Sequence, residues 1–232
     1  MLKSLINRVP LLRNLVHKML AVRSQRSFQG SANYWEDRYR RGGDSGAGSY
    51  SRLAKFKAEI LNKFVTDRKI QSVIEFGCGD GHQLSLAQYP RYVGMDVAAT
   101  AVESCRNRYQ GDDSKEFHQY FASEFECNDE RFRADLSLSL DVIYHLVEDE
   151  TFEAHLRHLF GSAKQYVIIY SSNCEEPQML AHVRRRNFVD TVEENFPDWL
   201  LSEQIANRYP FIASRPDDTS KADFYIYSKS NI

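Results

Sequence analysis

The segment Val73-Ile-Glu-Phe-Gly-Cys-Gly-Asp-Gly81 restricts the fold of this chain more than any other. A short apolar run, read from Ile70 to Phe76, has the length of a buried strand and stops on glycines at alternate positions. Glycine lets a backbone turn sharply and approach a ligand with no Cβ in the way. A strand that ends like this places its ligand at the carboxyl edge of an open sheet. Fifteen residues beyond Gly81, a second apolar run ends on Asp96. A carboxylate there is able to accept two hydrogen bonds from the vicinal hydroxyls of a ribose.

The rest of the body keeps the same rhythm. Glu116–Phe121, Asp135–Leu140 and Gln165–Tyr170 read as further strands, and Trp199–Ala206 and Phe224–Ser228 as two late ones. Between them, Ala99–Tyr109 and Thr151–Phe160 read as helices, with a helical turn from His82. Ahead of them, Leu53, Phe56, Ile60, Leu61 and Phe64 mark an amphipathic helix ending near Asp67. Strands alternating with helices predict an α/β fold, a parallel sheet wrapped on both faces. Asn33-Tyr-Trp-Glu36 reads as a capping box opening a short helix through Arg41, and Gly42–Ser49 as a loop. Ser27–Asn33 reads as a linker. The chain therefore divides into an arm and linker over residues 1–32 and one domain over residues 33–232.

Charge is unevenly placed. The net charge is −2, yet residues 1–35 carry six basic side chains and no acid, so the remainder stands at −8. The acidic body disfavours nucleic acid as a partner. In the arm, Leu2, Leu5, Ile6, Val9, Leu12, Val16, Met19 and Leu20 recur on one helical face, which Pro10 disturbs. Residues 1–26 fit peripheral contact with an anionic membrane surface, packing on the body or pairing with a second copy; a transit peptide is a third reading. Charges interrupt every apolar stretch, so nothing approaches the roughly 20 residues of a membrane span. The four cysteines are far apart in sequence, without zinc spacing or a disulfide framework. This favours a reduced, cytoplasmic setting, with the arm at the inner face of the membrane.

Two cofactor classes compete for the glycine loop. A dinucleotide fingerprint is Gly-x-Gly-x-x-Gly, whereas this chain has Gly77-x-Gly79-x-Gly81 with Glu75 before it and Asp80 inside it. Two acids beside the loop repel a pyrophosphate and suit a cationic sulfonium. The plainer alternative is a tight turn with a helix-capping acid. The stretch resembles the signature of class I S-adenosylmethionine-dependent methyltransferases, over roughly Asn33 to Ser228. That resemblance implies a Rossmann-like seven-stranded, mostly parallel sheet whose last strand is antiparallel. It places Gly77, Gly79 and Gly81 at the methionine portion of S-adenosyl-L-methionine, Asp96 at the ribose and Val97 near the adenine, with Glu75 a further cofactor-binding residue. Leu140–Leu146 resembles the segment after the fourth strand in that family, which passes under the reactive methyl group. Asp141 is thereby a candidate cofactor contact, and His145 faces the reaction centre. Glu124 is a weaker candidate for the adenine amino group. Tyr34-Trp-x-x-x-Tyr39 with Gly42–Ser49 resembles a lid of bacterial relatives associated with surface-polysaccharide enzymes. Residues 33–49 would close it, and Tyr34, Trp35 and Tyr39 would attract a sulfonium by cation–π contact. The alternative is a helix buried on the body plus a linker.

For the acceptor, an oxygen nucleophile needs a base. His145 is the first candidate and His182 the second, against the alternative of packing histidines. Asn173 follows the fifth strand, and His182-Val-Arg-Arg-Arg186 lies beyond it. If extended, His182, Arg184 and Arg186 share one side; if helical, His182 groups with Arg185 and Arg186. Guanidinium forks at Arg184 and Arg186 would bind an anionic acceptor; otherwise they pair with Asp190, Glu193 and Glu194. No metal site is read. The expected activity is O-methylation of a glycan or anionic sugar-containing acceptor. The alternatives are a lipid or quinone methyltransferase at a membrane and a non-catalytic binding module.

Overall fold

The computed structural model describes residues 28–178 and 180–230, so the amphipathic pattern of residues 1–26 lies outside the described residues. Seven strands form one sheet: β1 (Ser72–Phe76), β2 (Arg91–Asp96), β3 (Lys115–Gln119), β4 (Ala134–Leu140), β5 (Ala163–Ser171), β6 (Trp199–Ile205) and β7 (Asp223–Lys229). Their spatial order is β3-β2-β1-β4-β5-β7-β6. β1 pairs in parallel with β2 and β4, β2 with β3, and β4 with β5, whereas β7 runs antiparallel to both β5 and β6. The sheet is thus the Rossmann-like one expected, its last strand reversed. The strand order turns back between β1 and β4, and such a switch point opens a crevice at the carboxyl ends of the strands.

Helices α1 (Ser31–Arg40), α2 (Ser51–Asp67), α3 (Ala99–Arg108), α4 (Asp149–Ser162) and α5 (Phe188–Asn195) surround the sheet. Strand residues alternate between faces, and this sorts the core into two layers. Val73, Leu136, Leu138 and Ile168 pack on one side with Phe56, Leu61 and Phe64 of α2. Ile74, Val93, Val167 and Ile169 pack on the other with Phe152, Leu156 and Leu159 of α4. Both faces are covered, which is why these strands read as near-continuous apolar runs.

Three local expectations are corrected. α1 starts at Ser31, inside the segment read as linker, and Asn33 is not its cap: its amide donates to the Gln29 carbonyl, and Glu36 turns to Thr100. The helix start is served from outside, because the Glu148 carboxylate accepts from both Ser31 N and Ser31 Oγ. Residues 182–186 are neither strand nor helix but a turn followed by irregular chain. Finally, α5 was not anticipated; its apolar contribution is the buried pair Phe188 and Val192, one helical turn apart.

Candidate active site

At the carboxyl ends of β1, β2 and β4 lies a cavity of about 250 Å³. Its floor is the glycine loop. Gly77 N and Cys78 N both donate to the Met95 carbonyl, at 2.7 and 2.9 Å, which pins the loop to the end of β2. Gly77 and Gly79 line the cavity with φ of 93° and 58°, in the left-handed region that glycine tolerates best. A Cβ on Gly77 would stand 2.3 Å from Val142 Cγ2, and one on Gly79 2.3 Å from Ser45 Oγ. Gly81 serves a different contact: its missing Cβ makes room for Cys105 of α3, and it does not line the cavity.

Asp96 and Glu75 supply buried carboxylates. Asp96 accepts Gly79 N on one oxygen and Ala98 N on the other, both at 2.9 Å. Each oxygen keeps a lone pair for a ligand. Burial pushes the Asp96 carboxyl up to about 6. Glu75 accepts the Tyr92 hydroxyl at 2.6 Å, and burial raises its carboxyl to about 7. Val97 completes this wall.

Across the cavity, Asp141 follows β4 with φ of 60°. One of its oxygens holds Lys57 Nζ at 2.6 Å and the other the Tyr144 hydroxyl at 2.8 Å. Lys57 is fully buried in α2 and lines the cavity. Sequence reading passed over it, although its signal was present. It stands four residues from both Leu53 and Leu61, a lysine on the apolar face of its helix. Gln83 was also missed. It lines the cavity with its amide nitrogen on the Ala54 carbonyl and its Oε1 unpartnered.

A roof covers the cavity. Trp35 and Tyr39 of α1 face inward, whereas Tyr34 faces outward and stacks on the His182 ring at 4.2 Å. The glycine-rich loop after α1 runs close across the site. A Cβ on Gly48 would lie 2.7 Å from Asp141 Oδ2, and the Tyr39 hydroxyl meets Ser45 Oγ. Asp80, read as a charge beside the ligand, holds this loop instead: it accepts Ser45 N and the Tyr50 hydroxyl, while its own N–H donates to Ser45 Oγ. Burial pushes its carboxyl up, but hydrogen bonds from His82, Tyr50 and Ser45 bring it below the usual carboxylate value.

His145 lines the cavity beside Trp35, whose ring meets it edge-on at 4.9 Å. Its Nδ1 lies 3.0 Å from the His182 carbonyl, which only accepts, so Nδ1 carries the proton and Nε2 the lone pair. Burial pushes His145 down to about 4, leaving it neutral at pH 7. The remaining predicted residues do not line the cavity. His182 sits outside α1, with burial lowering its pKa. Asn173 Oδ1 accepts Val189 N in the first turn of α5. Arg184 and Arg186 both pair with Asp149 at 2.9 Å and donate to the Val147 carbonyl, and Arg186 lies over the Phe152 ring. Sequence distance hid this: the basic run fastens the start of α4, and Arg185 pairs with Glu176. Glu124 borders a separate hollow beyond β3.

Residues 73–165, the span from the glycine loop to the start of β5, match the methyltransferase domain family. Over that span the chain is similar to a methyltransferase domain. No curated protein matches it in sequence. Among solved structures, the N-methyltransferase NodS of Bradyrhizobium japonicum, in complex with S-adenosyl-L-homocysteine, aligns with a TM-score of 0.67 at 13% identity, over 87% of this chain and 99% of that one. Magnesium protoporphyrin IX methyltransferase of Synechocystis, also with bound S-adenosylhomocysteine, gives 0.60 at 16% identity, over 86% and 98%. The methyltransferase domain of bacterial CtHen1 gives 0.57 at 17%, over 76% and 100%. At these identities the likeness is one of fold. Among the described residues no helix is long and apolar enough to cross a membrane.

Proposed function

We propose that this chain uses S-adenosylmethionine and transfers its methyl group to a hydroxyl of a sugar-containing acceptor. One observation carries the cofactor assignment: Asp96, fixed by Gly79 N and Ala98 N, presents a free lone pair on each oxygen beside a glycine loop open to close approach. The charges of the lining suit the cofactor. Asp96, Asp141 and Glu148 outnumber Lys57, and burial keeps His145 and His155 neutral, so the lining favours a cation. The unspent donors of Lys57 and the free Oε1 of Gln83 answer the carboxylate and ammonium of an amino acid. The bound cofactor supplies an electrophilic methyl carbon on a sulfonium. The protein's part is alignment and exclusion of water, which α1 and the Ser45 loop provide from above.

His145 is the proposed base. Its tautomer leaves Nε2 free to take the acceptor's proton, and burial keeps the ring neutral at pH 7. The sugar-containing acceptor follows from the likeness of the Tyr34–Tyr39 segment and its loop to a lid of polysaccharide-linked relatives. Arg184 and Arg186 no longer support it. Calorimetry with S-adenosylmethionine tests the cofactor: binding is expected, and silence at millimolar concentration removes the proposal. Labelled methyl transfer onto extracted glycans and lipids, read by mass spectrometry, tests the acceptor. With an acceptor in hand, His145→Ala lowers kcat by about 10²–10⁴-fold; full turnover would exclude it as the base.

A further inference from the structure

Helix α1 is a wall with two working faces. Ser31, Trp35 and Tyr39, spaced by four, face the cavity beneath it. Tyr34, Asp37, Arg38 and Arg41, spaced by three and four, form the neighbouring, outward stripe and line a second hollow of about 550 Å³ with Phe28 and His182. That size is within the range of small-molecule sites. We infer that this outer groove is the acceptor site and binds a sugar ring bearing a carboxylate or phosphate. Its role as an acceptor site rests on the transferase reading above; its capacity to bind does not.

Position and chemistry both point there. Groove and cavity share Gln29 and Asn33 in their walls, so they meet around the first turn of α1. His182 links them from the other side. Its ring stacks on Tyr34 in the groove and lies 5.8 Å from the His145 ring at 12°, and its carbonyl accepts the His145 Nδ1 proton. A ligand in the groove therefore ends at His182, one ring away from the proposed base. Phe28 and the Tyr34–His182 stack give flat apolar walls for the C–H face of a pyranose. The guanidinium groups divide their work. Arg38 is committed to the loop, donating to Asp44 through its carbonyl and carboxylate. Among the described residues Arg41 is held only through Nη2, by Asp37 at 3.2 Å, and its side chain is 76% exposed. A surface pair of that kind contributes little, so the fork is available to an incoming anion.

The test is saturation-transfer NMR on the full chain with methyl glucuronide, glucose 1-phosphate and neutral methyl glucoside. Saturation is expected in at least one charged sugar, and which one identifies the anionic group. Arg41→Glu should weaken that binding by about twofold to fivefold, the effect of losing an exposed charge contact. Calorimetric affinity for S-adenosylhomocysteine should stay within about twofold in the same variant, because Arg41 does not line the cofactor cavity. Equal saturation of the neutral glucoside, no saturation of any sugar, or undiminished binding in Arg41→Glu overturns the assignment. Sugar binding in a protein that fails to bind the cofactor keeps the groove as a sugar site and removes the transferase reading instead.

Discussion

Lys57→Met isolates the buried pair on which the far wall of the cavity depends. Lys57 Nζ and Asp141 Oδ2 are 2.6 Å apart, with side-chain exposures of 1% and 11%. At an effective dielectric of about 20, their attraction is about 6 kcal/mol. Most of that offsets the cost of taking both charges out of water, so the intact pair adds little net stability. Removing one partner is different: the surviving charge stays buried, at a loss of about 3–5 kcal/mol. Tyr144 still donates to Asp141, which places the expected loss near the lower bound, about 3 kcal/mol. Asp141→Asn in the same chain removes the stranded charge and puts at this positive-φ position a residue that tolerates it. The double variant should therefore recover about 1–2 kcal/mol of that loss. Urea unfolding at pH 7, followed by circular dichroism with the m-value checked for constancy, measures both. A loss below about 1 kcal/mol for Lys57→Met, or a double variant no more stable than the single one, would refute the reasoning.

Gly79→Ala should weaken S-adenosylmethionine binding by about tenfold or more, because the added Cβ meets Ser45 Oγ at 2.3 Å in a backbone conformation that costs alanine about 1–2 kcal/mol; calorimetry at wild-type affinity counts against it. Burial raises Glu75 from 4.5 to about 7, so the folded chain keeps a proton that the unfolded chain releases. Its contribution to stability is therefore lost as pH rises through that window, and Glu75→Gln should raise the urea midpoint at pH 8 and flatten the slope below pH 7. An unchanged pH profile would show that the carboxyl is not buried as described. Deleting residues 1–27 should abolish association with anionic vesicles if the basic arm lies on membranes, and sedimentation unchanged by the deletion would end that reading.

The sequence was most informative where residues act locally. The inner strands β1, β2, β5 and β7 were visible as apolar runs because both faces of the sheet are covered there, and the glycines and Asp96 were visible because they lie within one strand–turn–strand unit. Contacts made across the fold were hidden. Lys57 and Asp141 are 84 residues apart, and only packing of α2 against the end of β4 makes them a pair. Arg186 looked like a free cation because Asp149 and the carbonyls that hold it lie 37 or more residues earlier. The capping box failed for a related reason: Glu148, 117 residues from Ser31, supplies what the local Asn33 pattern seemed to promise. The orientation of α1, with Trp35 inward and Tyr34 outward, also needed the structure, since adjacent aromatics in a helix point in different directions.

Two carboxylates fasten α1 to different elements, Glu148 holding Ser31 and the helix's own Glu36 reaching out to Thr100 N and Oγ1 at the start of α3. A spent cofactor leaving past α1 would have to break both latches. The chemical step would then wait on a mechanical one, with the swing of a single short helix setting the ceiling on turnover.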